Sequence, residues 1–287
     1  MYQHRTYKDR LAFHEVFDDT GNMLQIVPER GGIVTKFDVH GEPVFYLDKT
    51  TLFDQAKNIR GGNPVLFPIC GPLQDGRYGL DGRTYAMKQH GLARNKAWEV
   101  TDVSTEKDKA GVTLKLVSDS ETLEAYPFNF TLEFKYVLSG NKLTVDQRYI
   151  NESDRPMPFY AGFHPYFLAP DKSGVKLNIP ALSYLDLLTG EETEFYGVMK
   201  LNDGPETNVV FGDLERPQVS FANHGTGKEI TIDFDGNFKY IVLWTHMGKD
   251  FLCIEPWMGM NYGLNRGEYI LLEPGAELKA RVSITVD

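Results

Sequence analysis

An all-β fold, built as one large antiparallel domain over residues 1–287, is what the sequence predicts. Three observations carry it. Segments of alternating apolar and polar residues, rich in aromatic and β-branched side chains, follow one another along the chain. Turn residues punctuate them at short intervals. No window of twelve or more residues shows an uninterrupted helical stripe. Short strands with frequent turns argue a sandwich or a barrel, and neither a Pro/Gly/Ser-rich linker nor a 20–50-residue repeat divides the chain.

Each strand has its own reason. Segment 113–117 alternates Leu and Val with polar residues, and 130–138 does so with Phe, Tyr, Leu and Val. Ser139-Gly140-Asn141 is a hairpin signal, and 142–150 resumes the alternation. Later come 229–234, Tyr240–His246, Phe251–Trp257 and 278–286, separated by Asp235-Gly236-Asn237, Met247-Gly248-Lys249-Asp250 and Pro274-Gly275. Residues 58–98 break the pattern with many Gly and Pro and weak strand signal. A stretch of that kind inside a sheet protein is more often functional than idle.

Composition excludes several classes. Hydrophobic residues at 41% and charged residues at 24% describe an ordinary globular chain rather than a disordered or collagen-like one. The 30 Lys and Arg against 40 Asp and Glu give a net charge of −10, with no basic stripe. Nucleic acid is therefore not an expected partner, since duplex binding rests on phosphate neutralisation. No apolar run approaches the roughly 18 residues of a membrane span, and the first ten residues, MYQHRTYKDR, lack a signal-peptide core. With two cysteines, Cys70 and Cys253, and no Cys-rich framework, a cytoplasmic protein with reduced thiols is expected. P-loop, GxSxG, HExxH and CxxC motifs are missing, so neither a cofactor nor a metal is expected.

Three kinds of residue stand out chemically. Glu255 lies in an otherwise apolar strand and shares a face with Phe251 and Cys253. A carboxylate there is costly unless paired, its pKa tends to rise, and a general base near neutral pH results. The alternative is a strand-end Glu reaching water. Tyr160, Gly162, His164 and Tyr166 alternate onto one face, with Pro165 marking a strand end. An imidazole beside aromatic rings suits sugar binding, although a structural histidine fits the same context. His90 sits beside Gly91, with Arg94 four positions on, and Arg60 precedes Gly61-Gly62. Such arginines can grip hydroxyls or phosphate, or can simply be surface residues. The other histidines, His246 included, sit in ordinary strand or turn contexts.

Taken in order, Arg60-Gly-Gly-Asn-Pro-Val-Leu-Phe-Pro68, Gln89-His-Gly-Leu-Ala-Arg94 with Trp98-Glu99, Gly162-Phe-His-Pro-Tyr-Phe167, Cys253-Ile-Glu255 and Leu272-Glu-Pro-Gly275 resemble the aldose 1-epimerase (mutarotase) family, and its hexose-6-phosphate epimerase branch more than the galactose branch. The resemblance implies a large twisted β-sandwich of the galactose mutarotase type holding a sugar or sugar phosphate on one concave sheet. It implies cofactor-independent exchange of α and β anomers. Glu255 would take the C1 hydroxyl proton and His164, protonated at rest, would protonate the ring oxygen from the opposite side, a sugar ring away. His90 would bind and polarise sugar oxygens, and Arg60 and Arg94 would bind hydroxyls or phosphate. Where the family usually carries an aspartate, the best-matching stretch, 206–211, offers Asn208, with Asp203 and Glu206 as substitutes. That departure leaves a rival reading, a non-catalytic sugar-binding or sugar-sensing protein on the same fold. A glycoside hydrolase would need a second carboxylate across the bond, and none is evident.

Overall fold

The alternation through 130–150 becomes a hairpin of two ten-residue strands, Phe130–Ser139 and Lys142–Asn151. It turns at Gly140, whose φ of 56° is the left-handed conformation a two-residue hairpin loop demands. Leu132, Phe134, Tyr136 and Leu138 point inward from one strand, and Leu143, Val145 and Tyr149 from the other. The structure is a computed structural model that describes residues 1–201 and 204–287.

This hairpin is the middle of an antiparallel sheet. Across it the order is Val175–Asn178, Gln218–Asn223, Lys228–Phe234, Glu277–Val286, Lys142–Asn151, Phe130–Ser139, Ala110–Val117, Glu99–Thr105. A second sheet runs Glu192–Glu194, Ser183–Asp186, Glu206–Phe211, Tyr240–His246, Phe251–Trp257, Gly162–Phe163, Val65–Leu66, with Tyr166–Leu168 also pairing to Phe251–Trp257. Aromatic rings join the two: Phe67 lies 4.9 Å from Phe130, Phe167 lies 5.0 Å from Phe221, and Phe134 lies 6.1 Å from Phe163. The fold is thus the antiparallel β-sandwich that the alternation predicts, and one apolar cluster between the sheets runs from Tyr2 to Val286.

Two parts of the chain differ from the sequence expectation. Residues before 60 form an additional antiparallel meander, Gln3–Asp9, Leu11–Phe17, Met23–Val27, Ile33–Val39 and Glu42–Pro43. Its first strand is polar and largely exposed, while Met23–Val27 is buried along nearly its whole length, so neither shows alternation. Segment 58–98 is not wholly irregular, because Arg77–Leu80 and Arg83–Ala86 pair as a small hairpin. Val65–Leu66 within it is the edge strand of the second sheet. Gly91 makes a parallel bridge to Phe67 at φ +74°, and a Cβ there would stand 2.3 Å from the Phe67 carbonyl oxygen. Only glycine permits that approach, which anchors His90 next to the sheet. Helix is confined to short segments such as Lys49–Leu52, Ser120–Ala125 and Gly263–Arg266. Among the described residues no helix is long and apolar enough to cross a membrane.

Candidate active site

The outer face of the second sheet holds a cleft of about 360 Å³ whose lining includes Arg60, His90, Arg94, His164, Asn208 and Glu255. All six site residues predicted from the sequence therefore meet in one place. Segment 58–98 supplies half of them.

Strand register brings the two central groups together. Gly162 pairs with Trp257 and Tyr166 with Cys253 along the Phe251–Trp257 strand. Between those pairs the partner strand breaks at His164-Pro165, since proline cannot donate to the ladder. His164 is thereby left opposite Glu255. Its Nδ1 lies 3.3 Å from Glu255 Oε1, and both residues are buried. The alignment falls short of a hydrogen bond, so Nδ1 has no formed partner. Contacts of this kind commonly tighten only when substrate binds.

This geometry corrects one expectation. The acid and base are not a sugar ring apart but in contact. The chemistry allows it: the C1 hydroxyl oxygen and the ring oxygen are both bonded to C1, so groups serving the two oxygens can be neighbours. The alternation also fails at Tyr160. That residue precedes the strand and packs under Gly259 and Gly263 in the core rather than in the cleft.

Electrostatics bears on a second expectation, that His164 is protonated at rest. Burial pushes the Glu255 carboxyl well above its usual range, against the hydrogen bond from Trp257 and the charge of Arg94. Burial, then Arg94 and Arg60, push His164 down to about 3. Burial therefore favours the neutral imidazole at His164 and the neutral carboxyl at Glu255. The neighbouring carboxyl does not offset this, because burial disfavours its charged form as well.

The surrounding groups fix the pair. Trp257 Nε1 donates to Glu255 Oε2 at 3.1 Å. The Tyr166 ring stacks on His164, centroids 4.7 Å apart and 6° from parallel. The Gly71 amide donates to His90 Nδ1 at 3.0 Å, which leaves the proton of neutral His90 on Nε2. Burial and Arg94 hold His90 well below its ordinary pKa, so it stays a neutral donor. Arg60 lies 5.2 Å over the Trp244 ring. Arg94 donates to the Gln89 carbonyl at 3.0 Å, while its Nε is buried without a partner. Burial, with Arg60 nearby, lowers Arg94 to about 10, still charged at neutral pH.

Asn208 and Glu206 alternate onto the cleft face of their strand. Glu206 brings the carboxylate, but Trp244 Nε1 already donates to it at 2.6 Å. Asp203 lies outside the described residues. Sequence reasoning passed over Trp244, Trp257, Asn261 and His246, all of which line the cleft. His246 stands on the rim, its Nε2 3.8 Å from Glu206 Oε2. Alternation through Val242, Trp244 and His246 was the available signal.

The sequence profile of the aldose 1-epimerase family matches residues 16–285. The chain belongs to that family. The crystal structure of the Slr1438 protein from Synechocystis superposes with a TM-score of 0.94 at 39% identity, covering 100% of this chain and 99% of that one. Galactose 1-epimerase from Lactobacillus acidophilus shares the fold, with a TM-score of 0.77 at 18% identity, covering 100% of this chain and 98% of that one. Among curated relatives, a Cenchrus ciliaris protein named "Putative glucose-6-phosphate 1-epimerase" is 27% identical over 282 residues, 89% of this chain and 79% of its own. Protein LacX of Lactococcus lactis is 24% identical over 241 residues, 75% of this chain and 79% of its own. As a member of the aldose 1-epimerase family the chain is an isomerase that interconverts the α and β anomers of a sugar.

Proposed function

We propose that Glu255 and His164 catalyse the exchange as one proton-sharing pair on an aldose or an aldose 6-phosphate. The observation that carries this reading is the buried 3.3 Å contact between them at the floor of the cleft. Ring opening removes a proton from the C1 hydroxyl and adds one to the ring oxygen. In the carboxylate–imidazolium form, Glu255 takes the first and His164 gives the second. The pair is then left as carboxylic acid and neutral imidazole, the form burial favours. After the C1–C2 bond of the open aldehyde rotates, reclosure reverses both transfers. Started from the neutral form, the same steps run with the roles exchanged. Each positioned transfer contributes typically 10²–10⁴-fold.

His90 Nε2–H donates to a sugar oxygen, Trp244 offers an aromatic face, and Asn208 pairs with hydroxyls. Arg60 and Arg94 give a positive locus in a chain of net charge −10, which supports a phosphorylated sugar and accords with the name of the Cenchrus ciliaris relative. The chain works as one sandwich unit, and its two unpaired, buried thiols support a cytoplasmic setting. Glu255→Gln tests the pair. Polarimetry with α-glucose, α-galactose and glucose 6-phosphate should show kcat lower by about two orders of magnitude or more, with unchanged circular dichroism. Wild-type rates in the variant would remove Glu255 from the mechanism.

A further inference from the structure

We propose that His164, Cys253 and Glu255 also form a three-ligand site for a divalent cation of borderline softness, Zn²⁺ first among them, whose occupancy switches the enzyme off. A ring nitrogen of His164, Cys253 Sγ and a Glu255 carboxylate oxygen all lie within 4.8 Å of one another, and all three residues are buried. Strand geometry explains the cluster. Cys253 and Glu255 are two residues apart on one strand and share its cleft-side face. Tyr166, two residues after His164, pairs with Cys253 across the ladder.

The donor set matches the cation. One nitrogen, one thiolate sulfur and one carboxylate oxygen are the ligand types of three-coordinate protein zinc sites that keep a fourth position open. Two of the three ligands, His164 and Glu255, line the cleft. With bonds of 2.0–2.3 Å, tetrahedral ligand atoms stand roughly 3.5 Å apart. The His164–Glu255 pair is already at 3.3 Å, and Cys253 Sγ, within 4.8 Å of both, would have to shift to complete the set. A second observation points the same way. His164 Nδ1 is a buried nitrogen with no hydrogen-bond partner, and such an atom in a native site calls for an explanation. A buried ring nitrogen without a hydrogen bond, beside a thiol and a carboxyl, is suited to ligate a metal.

Charge balance answers the objection raised by Arg60 and Arg94. Binding of Zn²⁺ forms Zn–S and Zn–O bonds, and the thiolate and carboxylate that ligate it, −1 each, offset its two positive charges, with any proton they carried released to water. Magnesium, which prefers an octahedral oxygen shell, does not fit this set. The bound metal would occupy both the Glu255 oxygen and His164 Nδ1, so the pair could no longer exchange protons with a sugar.

The loss of activity rests on the roles given to Glu255 and His164 above, whereas metal binding does not. The test therefore has two arms on the full chain. Titration with Co²⁺ should raise a near-ultraviolet thiolate-to-cobalt charge-transfer band in wild type and none in Cys253→Ser or Cys253→Ala. In the anomerisation assay, Zn²⁺ but not Mg²⁺ should inhibit wild type, and a chelator should restore it. Either Cys253 variant should keep the basal rate within about twofold and need at least about tenfold more Zn²⁺ for the same inhibition, since losing even an outer-shell partner of a metal ligand costs about 10–100-fold in affinity. Absence of the cobalt band, or equal zinc sensitivity in wild type and both variants, would overturn the site. A cobalt band in a protein that anomerises none of the sugars would leave the metal site standing and count against the proposed function instead.

Discussion

The strands Lys142–Asn151 and Phe251–Trp257 belong to opposite sheets and obey different rules. Along the first, every second side chain is buried and the others are half-exposed. One face meets the core and the other meets water, as in an ordinary antiparallel sheet. Along the second, all seven residues are buried. Leu252 and Ile254 join the core between the sheets, while Phe251 and Cys253 pack with Tyr166 on the other side. That outer face carries a carboxyl group out of contact with bulk water. The first strand spends its sequence on stability. The second uses one face for stability and keeps a costly group on the other, and such groups concentrate where chemistry is done.

Substitutions should divide along the same line. The largest expected effect is on the core side. Phe134 is fully buried, with ring centroids 5.1 Å from Trp98, 5.4 Å from Tyr149 and 6.1 Å from Phe163. Phe134→Ala should cost about 3–5 kcal/mol of stability through lost burial and a residual cavity. Urea unfolding measures that loss. Activity per folded molecule should stay within about twofold of wild type. A large fall in kcat with little change in unfolding midpoint would break the division between the two sheets.

How much of this was legible beforehand follows from the same contrast. The 130–151 hairpin could be read because its period of two is a local property of the chain, and Gly140 marks its turn. The first meander could not, because its polar edge strand and its doubly buried Met23–Val27 strand both lack that period. Glu255 was legible as a lone carboxylate in an apolar strand. His164 was less so, since its position depends on the break at Pro165 and on pairing with a strand some ninety residues away in sequence. The contact of Trp257 with Glu255 also hides in plain sight, two residues along one strand, because nothing local says that an indole N–H turns toward its neighbour. The protonation of the pair was beyond reach: it depends on how deeply both groups are buried and on two arginines delivered by a different segment.

A smaller effect is expected at Trp257, which donates to Glu255 Oε2 at 3.1 Å. Trp257→Phe keeps an aromatic ring and removes the donor. Hydrogen bonds to charged groups are worth about 1.5–3 kcal/mol. The carboxylate form of Glu255 loses that support, so kcat should fall by one to two orders of magnitude while KM changes less. Steady-state anomerisation kinetics separate the two constants. An unchanged kcat would mean that Trp257 serves packing alone, and the outer face of the strand would then resemble the inner one.

The gentlest test varies pH and leaves the chemistry aside. The Glu255 carboxyl is raised by burial, whereas the unfolded chain ionises it near 4.3. Above that pH the native state holds a proton that the unfolded state has lost, so stability falls as pH rises toward the native value. His164 is lowered to about 3 by burial and by Arg94 and Arg60, while the unfolded chain protonates it near 6.5. Below 6.5 the unfolded state holds the extra proton, so stability rises with pH from about 3 to 6.5. Between about 4.3 and 6.5 the two slopes oppose each other, each at most about 1.4 kcal/mol per pH unit. His90, also lowered by burial, adds to the histidine side. Glu255→Gln removes the falling slope, so its Tm should climb with pH across this window more steeply than that of wild type. His164→Gln removes part of the rising slope, so its Tm should climb less steeply or decline. Calorimetry from pH 4 to 7 reads both. Parallel Tm curves for wild type and both variants would mean that water reaches the pair in the native state and that each group titrates as an exposed one does. The outer face of the Phe251–Trp257 strand would then be no more costly to keep than the solvent face of Lys142–Asn151.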